Sequence, residues 1–347
     1  MISNLHRALH RSANGLRRAI AAAAVAAAIP ASAQLGANAY SFLDVATSTH
    51  AQGLGGYGIA VSSPDATLVE QNPGLLGPEI GRVAALSYMR YFGSSNFAAL
   101  RFAHSAGERG AWAAGIRYID YGTIDGYEPD GTWTGTFKPQ DISVEGTYSH
   151  DFNDRLRGGI NVKMIFSNYE EYSAVALAAD LGINYYDPEH DLSLSAVLKN
   201  AGGQIKRFNE SYDHLPFDIQ LGYMQGLGGG PFSIAITAHH LTHWKMPYYR
   251  HDNNDQEVSA TQKESKFMSD LFRHLTFGLQ YAPSDSFYIT AGYNYKTRTD
   301  MASYQRSFFS GISLGLGLNV KDFAIGVSYS QPHKSASTLG LNLSYFM

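Results

Sequence analysis

Residues 312–346 read ISLGLGLNVKDFAIGVSYSQPHKSASTLGLNLSYF. Apolar or aromatic residues hold every second position in three successive series. These are Ile312, Leu314, Leu316, Leu318, then Phe323, Ile325, Val327, Tyr329, then Leu339, Leu341, Leu343, Tyr345. A period of two places one set on one face of a strand and the other set on the opposite face. The second face carries Ser313, Gly315, Gly317 and Asn319, with few of the Lys and Glu residues of a solvated surface. A soluble sandwich would turn its apolar face to a core and a charged face to water. An apolar outside against lipid and a small, polar inside suit a membrane barrel.

The same alternation extends back through the chain, as in Leu275, Phe277, Leu279, Tyr281 and in Phe287, Ile289, Ala291, Tyr293, Tyr295. Fourteen segments emerge: 82–91, 95–104, 111–121, 139–150, 155–167, 173–186, 191–200, 216–226, 231–244, 274–282, 286–297, 308–319, 322–331 and 337–346. An even number is what a closed bacterial barrel requires, and ten tilted residues cover roughly 25 Å of lipid-facing height. Connections after even-numbered segments are mostly short, whereas 122–138, 201–215, 245–273 and 298–307, all after odd-numbered ones, are long. The first hairpin departs from that trend. Short periplasmic turns, long extracellular loops and two periplasmic termini are the rule for such barrels. The expected fold is therefore all-β: a fourteen-stranded antiparallel outer-membrane β-barrel of a Gram-negative bacterium, with an N-terminal Gly-rich plug inside the lumen.

Composition agrees. The chain of 347 residues is 44% hydrophobic and only 16% charged, with 35 Gly, 23 Tyr and 18 Phe, against roughly 25% charged in soluble domains. Residues 1–33 read as a secretory signal peptide: Arg7, Arg11, Arg17 and Arg18 precede the apolar run 19–29, and Ala31-Ser32-Ala33 matches a cleavage site. That run is too short for a membrane helix, which needs roughly 20 residues. The chain has no cysteine, which excludes disulfides, thiolate metal sites and a lipoprotein anchor. A net charge of −4 and no basic cluster after the leader give no reason to expect a nucleic-acid partner.

Between leader and barrel (81–347) lies the segment 34–80, which resembles neither. Gly53, Gly55, Gly56 and Gly58 crowd together, and Ser62-Ser63-Pro64-Asp65 and Asn72-Pro73-Gly74 are turn signals. Glycines this dense permit close backbone approach but make poor free-standing elements. A fourteen-stranded bore is too wide for its own side chains to fill, so this segment is expected to enter from the periplasmic end and fold as a plug. An open porin is the weaker alternative, because charge for a lumenal ring is sparse.

A plug ahead of fourteen strands resembles the long-chain fatty acid transporter superfamily. The residues that carry the resemblance are Asn72-Pro73-Gly74, similar to the family's Asn-Pro-Ala hatch motif with Gly for Ala, preceded by Asp65-Ala66. Within it, Phe42-Leu43-Asp44-Val45 and Ala51-Gln52-Gly53-Leu54-Gly55-Gly56 look like the start of the PorV and PorQ barrels of the type IX secretion system of Bacteroidota, with the spacing closer to PorQ. That resemblance implies a non-enzymatic surface scaffold in outer-membrane lipid and lipopolysaccharide. It would anchor a PorZ-like protein near PorU and PorV, where cargo is processed and attached. The superfamily level implies the alternative, uptake of hydrophobic small molecules.

The plug residues singled out are Gly53, Gly55, Gly56, Asn72, Pro73 and Gly74. A docking loop is expected at 245–273, with Trp244, Tyr248, Tyr249 and Arg250 as the interface-type residues, and Trp133 in Glu128-Pro129-Asp130-Gly131-Thr132-Trp133 as a second. His239 and His243 would lie on one strand face about 13 Å apart by strand rise, too far to share one metal; His251, Asp252 and Asp255 could complete a site with one of them, against the plainer reading of interfacial histidines at the outer rim. Thirteen histidines and many serines make chance pairs certain, and no spacing marks a catalytic one; no enzyme activity, metal or cofactor is expected. Lys199-Asn200 and Arg207 read as solvated loop-mouth residues. Gly158-Gly159 and Gly202-Gly203 are the candidate strand kinks of a transporter's lateral gap.

Overall fold

A computed structural model describes residues 39–347 apart from 92, 129, 210–211, 247, 251–260, 264–266, 301–308 and 334–335. The strands are β1 (Arg82–Arg90), β2 (Asn96–Ser105), β3 (Gly110–Asp120), β4 (Ile124–Tyr127), β5 (Trp133–Phe137), β6 (Gln140–Asp151), β7 (Leu156–Tyr169), β8 (Tyr172–Asp187) and β9 (Leu192–Lys206). They continue with β10 (Asp218–Gly226), β11 (Phe232–Ala238), β12 (Tyr248–Arg250), β13 (Thr261–Lys263), β14 (Leu275–Ser284), β15 (Phe287–Asn294), β16 (Ile312–Val320), β17 (Phe323–His333) and β18 (Ala336–Phe346). Fourteen of them form one closed barrel in chain order, while β4–β5 and β12–β13 are separate hairpins. The seam joins first to last strand, from Val83 opposite Phe346 to Arg90 opposite Leu339.

Alternation sets the two faces. On β18, Leu339, Leu341 and Leu343 point outward while Thr338, Asn342 and Ser344 are buried; on β16, Leu314, Leu316 and Leu318 face out and Ser313 faces in. An apolar outside and a small, polar inside fit an outer-membrane barrel. The end carrying 106–109, 152–155, 188–191, 227–231, 285–286 and 321–322 is the turn end, and the opposite one is the loop end.

Residues 39–81 fill the lumen as one-turn helices. They include α1 (Thr49–Gly53), capped by Ser48, and 3-10 turns at Ala66–Glu70 and Pro73–Leu75 capped by Asp65 and Asn72. The Ser48, Asp65 and Asn72 side chains accept from backbone N–H groups at the starts of these short turns, groups that the turns themselves leave without a partner. The plug packs in three apolar layers. At the loop end Tyr40, Phe42 and Leu43 meet Met89, Phe97, Ile119 and Ile165. Centrally Leu54, Val61 and Leu68 meet Met224, and at the turn end Val69, Leu76 and Ile80 meet Val83, Ala85 and Ala103.

Several expectations are corrected. The plug does not rise from the turn end: Tyr169 at the loop end of β7 donates to the Ala39 carbonyl at 2.9 Å, and Gly81 meets Ser105 at the turn end. The plug therefore descends the lumen to β1. The expected strand 231–244 stops at Ala238, because His240 takes φ 57°, so His239 and His243 do not share a strand face. β15 ends at Asn294, where a helix spans Tyr295–Asp300. β9 runs on to Lys206, which puts Lys199 and Asn200 in the wall, buried, rather than at a loop mouth. The leader and His251, Asp252 and Asp255 lie outside the described residues.

Candidate functional site

The sequence motif Asn72-Pro73-Gly74 is the plug's contact with the middle of the wall. The Asn72 amide donates to the Ile59 carbonyl (2.9 Å) and the Ser195 hydroxyl (3.1 Å), while its oxygen accepts from Gly74 N at 2.8 Å. Pro73 lies so close to β7 that a Cβ on Gly159 would overlap its carbonyl, and a Cβ on Gly182 would overlap Asn72. Gly158-Gly159 is thus a docking notch and no kink: its register with β6 and β8 is continuous. The irregularity sits beside Gly202-Gly203, where β8 and β9 slip register around Asp180, opposite Lys199 and Asn200. On the other wall Gly53 lies against Gly315, with its carbonyl accepting from Ser313 at 3.2 Å, and Asn294 donates to the Gly55 carbonyl at 3.1 Å. Gly55 and Gly56 take φ of 93° and 96°, which favours glycine.

Below the plug's first turns lies a charge network that the composition did not suggest. Glu145 bridges Arg101 (2.8 Å) and Arg117 (3.0 Å), and Arg117 reaches Glu70 of the plug at 3.6 Å. Thr47 donates to both Glu70 oxygens through its backbone N–H and hydroxyl, each at 2.6 Å. Lys199 donates to the Glu70 carbonyl. Lys163 pairs with Asp180 at 2.7 Å and donates to Asn200 at 2.7 Å, and Lys199 lies 3.7 Å from Asp180. Charge in the lumen is therefore concentrated rather than sparse, but it is matched pair by pair and bound to the plug. Arg207, beyond the end of β9, stands over the Tyr212 ring at 5.3 Å.

Two cavities flank the plug. One of about 700 Å³ lies at the turn end, between Thr49, His50, the loop Ser62–Asp65, Tyr288 and Phe346. The second, about 350 Å³, lies at the loop end. Val45, Ala46, Met89, Tyr57 and Tyr91 give it apolar and aromatic walls, and Asp44, His240, Lys296 and Asp300 give it polar ones. Lys296 is held by Asp300 at 2.7 Å, and Asp300 also takes Arg273 at 2.5 Å. His240 Nδ1 lies 2.7 Å from His239 Nδ1, within hydrogen-bond reach. Burial holds His240 down to about 3, so its ring is neutral.

The expected docking residues separate. Tyr248, Tyr249 and Arg250 form β12, while Trp244 stacks on His274 at 4.8 Å and tilts against Phe267 at 5.6 Å. Trp133, at the tip of the β4–β5 hairpin, is 59% exposed beside Tyr127 at 63%. Among the described residues one group has metal-ligand spacing, Asp187, Glu189 and His190 in a turn. Arg155 already bridges its two carboxylates.

No protein-family model matches the chain, and no curated protein matches it. Solved structures do. The Pseudomonas putida toluene transporter TodX superposes with a TM-score of 0.52 at 12% identity, over 85% of this chain and 96% of that one. The TodX deltaS2S3 mutant, a monoaromatic hydrocarbon channel, gives 0.53 at 11% identity, over 86% and 97%. In fold, this chain resembles these channels. That is the architecture the Asn-Pro-Gly hatch motif implied; the finer resemblance to type IX secretion barrels rests on residues 42–76 alone.

Proposed function

We propose that this chain is a plugged outer-membrane channel that admits small, largely apolar molecules to its loop-side cavity. The observation that carries the reading is the cavity itself. Its volume lies within the 300–1,000 Å³ range of small-molecule sites, Met89, Tyr57, Tyr91 and Val45 give part of its wall an apolar and aromatic surface, and the plug closes it toward the turn end. An open porin would need a continuous aqueous bore, and residues 39–81 occupy that space. The likeness to a toluene transporter agrees in fold and adds no substrate by itself.

The test is uptake by cells that express the barrel in an outer membrane containing lipopolysaccharide. Labelled toluene is expected to enter several-fold faster than in cells without the barrel, with uptake of a disaccharide unchanged. Faster disaccharide entry would make it a porin.

One observation favours a second reading, a loop-side scaffold. The β4–β5 hairpin carries Ile124, Tyr127 and Trp133 with 42–63% of their surface exposed, and aromatic residues of this kind anchor protein interfaces. In the type IX reading the partner would be a PorZ-like surface protein. Affinity recovery from solubilised outer membrane tests it: a stoichiometric partner that is lost when 124–137 is replaced by a short turn supports the scaffold, and recovery of the barrel alone opposes it.

A further inference from the structure

Asp44 is the one acidic group of the loop-side cavity that nothing neutralises among the described residues. It ends the turn Ser41–Asp44, its side chain is exposed into the cavity, and it forms no hydrogen bond or ion pair there. Asp300, on the far wall, is taken up by Lys296 and Arg273. A second carboxylate stands behind: Asp218 accepts from Gln220 at 2.9 Å through one oxygen, and its other oxygen is buried without a partner. Both carboxyls act on Tyr57, whose ring lies in the cavity wall with His239 stacked on it at 4.2 Å. An unpaired carboxylate in a cavity whose lining also holds the Tyr57 and Tyr91 rings can take an organic ammonium, by charge at one point and by cation–π contact beside it.

Resting on the channel reading above, we propose that the loop-side cavity selects a small organic cation with an apolar body, its positive charge at Asp44 and its body against Tyr57, Tyr91 and Met89. A cation supplies the counter-charge that Asp44 lacks, whereas a neutral hydrocarbon leaves the carboxyl to take up a proton. The other nearby cations are committed: Lys163 to Asp180 and Asn200, Lys199 to the Glu70 carbonyl and Asp180, Lys296 to Asp300. Burial, and after it the like charge of Asp218, holds the Asp44 carboxyl up to about 7 in the empty cavity, against the weaker opposing pull of Lys199, Lys296 and Lys163. Binding a cation ionises Asp44 and releases its proton, so affinity rises as pH rises through 7.

The probe is benzyltrimethylammonium, whose charge does not depend on pH, titrated into the full barrel in detergent between pH 5.5 and 8.5. The expected result is saturable binding that strengthens about thirtyfold over that range, the change in ionised fraction of a group titrating near 7. Asp44→Asn is expected to weaken binding tenfold or more at pH 8.5 and to flatten the pH profile. Binding that is independent of pH in the unaltered protein overturns the proposal, whether or not the variant folds, and so does binding unchanged in the variant. Toluene uptake without cation binding overturns this proposal alone; absence of both overturns the channel reading as well.

Discussion

Glu70 sits where the plug meets β3 and β9, and its carboxylate lies below the ordinary range. Burial alone would push it up, but the guanidinium groups of Arg117 and Arg101 and the donors of Thr47 outweigh burial. A carboxyl depressed in the folded state contributes stability above its unfolded value of 4.5, lost as pH falls through the folded one. The plug is therefore expected to hold at neutral pH and loosen in acid below 4.5, seen as ion conductance appearing in a planar bilayer. Glu70→Ala leaves Arg117 with only Glu145, and breaking one partner from a buried network costs about 3–5 kcal/mol. It is expected to conduct at neutral pH and to unfold at a lower temperature in detergent. Unchanged conductance in both experiments would mean that the apolar layers alone retain the plug. These charges were hard to see in the chain because Arg101, Arg117, Glu145, Lys163 and Asp180 each lie in a different strand. Only the barrel's register brings them together. The available signal was position: each falls on the inward set of its alternation, where Ser and Gly are the norm.

At the scale of elements, period-two alternation was enough to place nearly every wall strand within a few residues, because lipid on one side and lumen on the other enforce it. It failed where that pressure stops. β11 ends at Ala238 although the expected strand runs to 244: His240 turns the backbone, and Leu241 already falls on the inward set of the alternation. Tyr295 extends the pattern of β15 but begins a helix beyond the wall. The glycine pair 158–159 was legible as special, but its reason, the approach of Pro73, lies far away in the chain. Gly159→Val is accordingly expected to displace Pro73 while β7 still pairs with β6 and β8. The variant should migrate as a folded, heat-modifiable barrel on a gel yet conduct ions. A barrel that fails to fold would mean that the plug contact is needed to form the wall itself.

For the molecule as a whole, the fold was legible from the chain and the cavities were not, because they are what remains after plug and wall have met. Phe42-Leu43-Asp44-Val45 stood out only as a family-like string, and nothing local marks Asp44 as facing a cavity. The direction of the plug supplies a test of orientation in the membrane. Ser41 is exposed at the loop end and lines the cavity, and the native chain has no cysteine. Ser41→Cys is expected to react with a membrane-impermeant maleimide on intact cells, and Asp285→Cys, at the turn end, only after lysis. The reverse pattern would invert the barrel.

The plug runs down through the ring and continues into β1 at the turn end, so the first strand of the seam and the segment that fills the bore are one continuous stretch. The segment touches both halves of the wall: the turn Pro73–Leu75 meets β6, β7 and β8, and α1 meets β15 to β18. The sheet is rolled about it as about a mandrel.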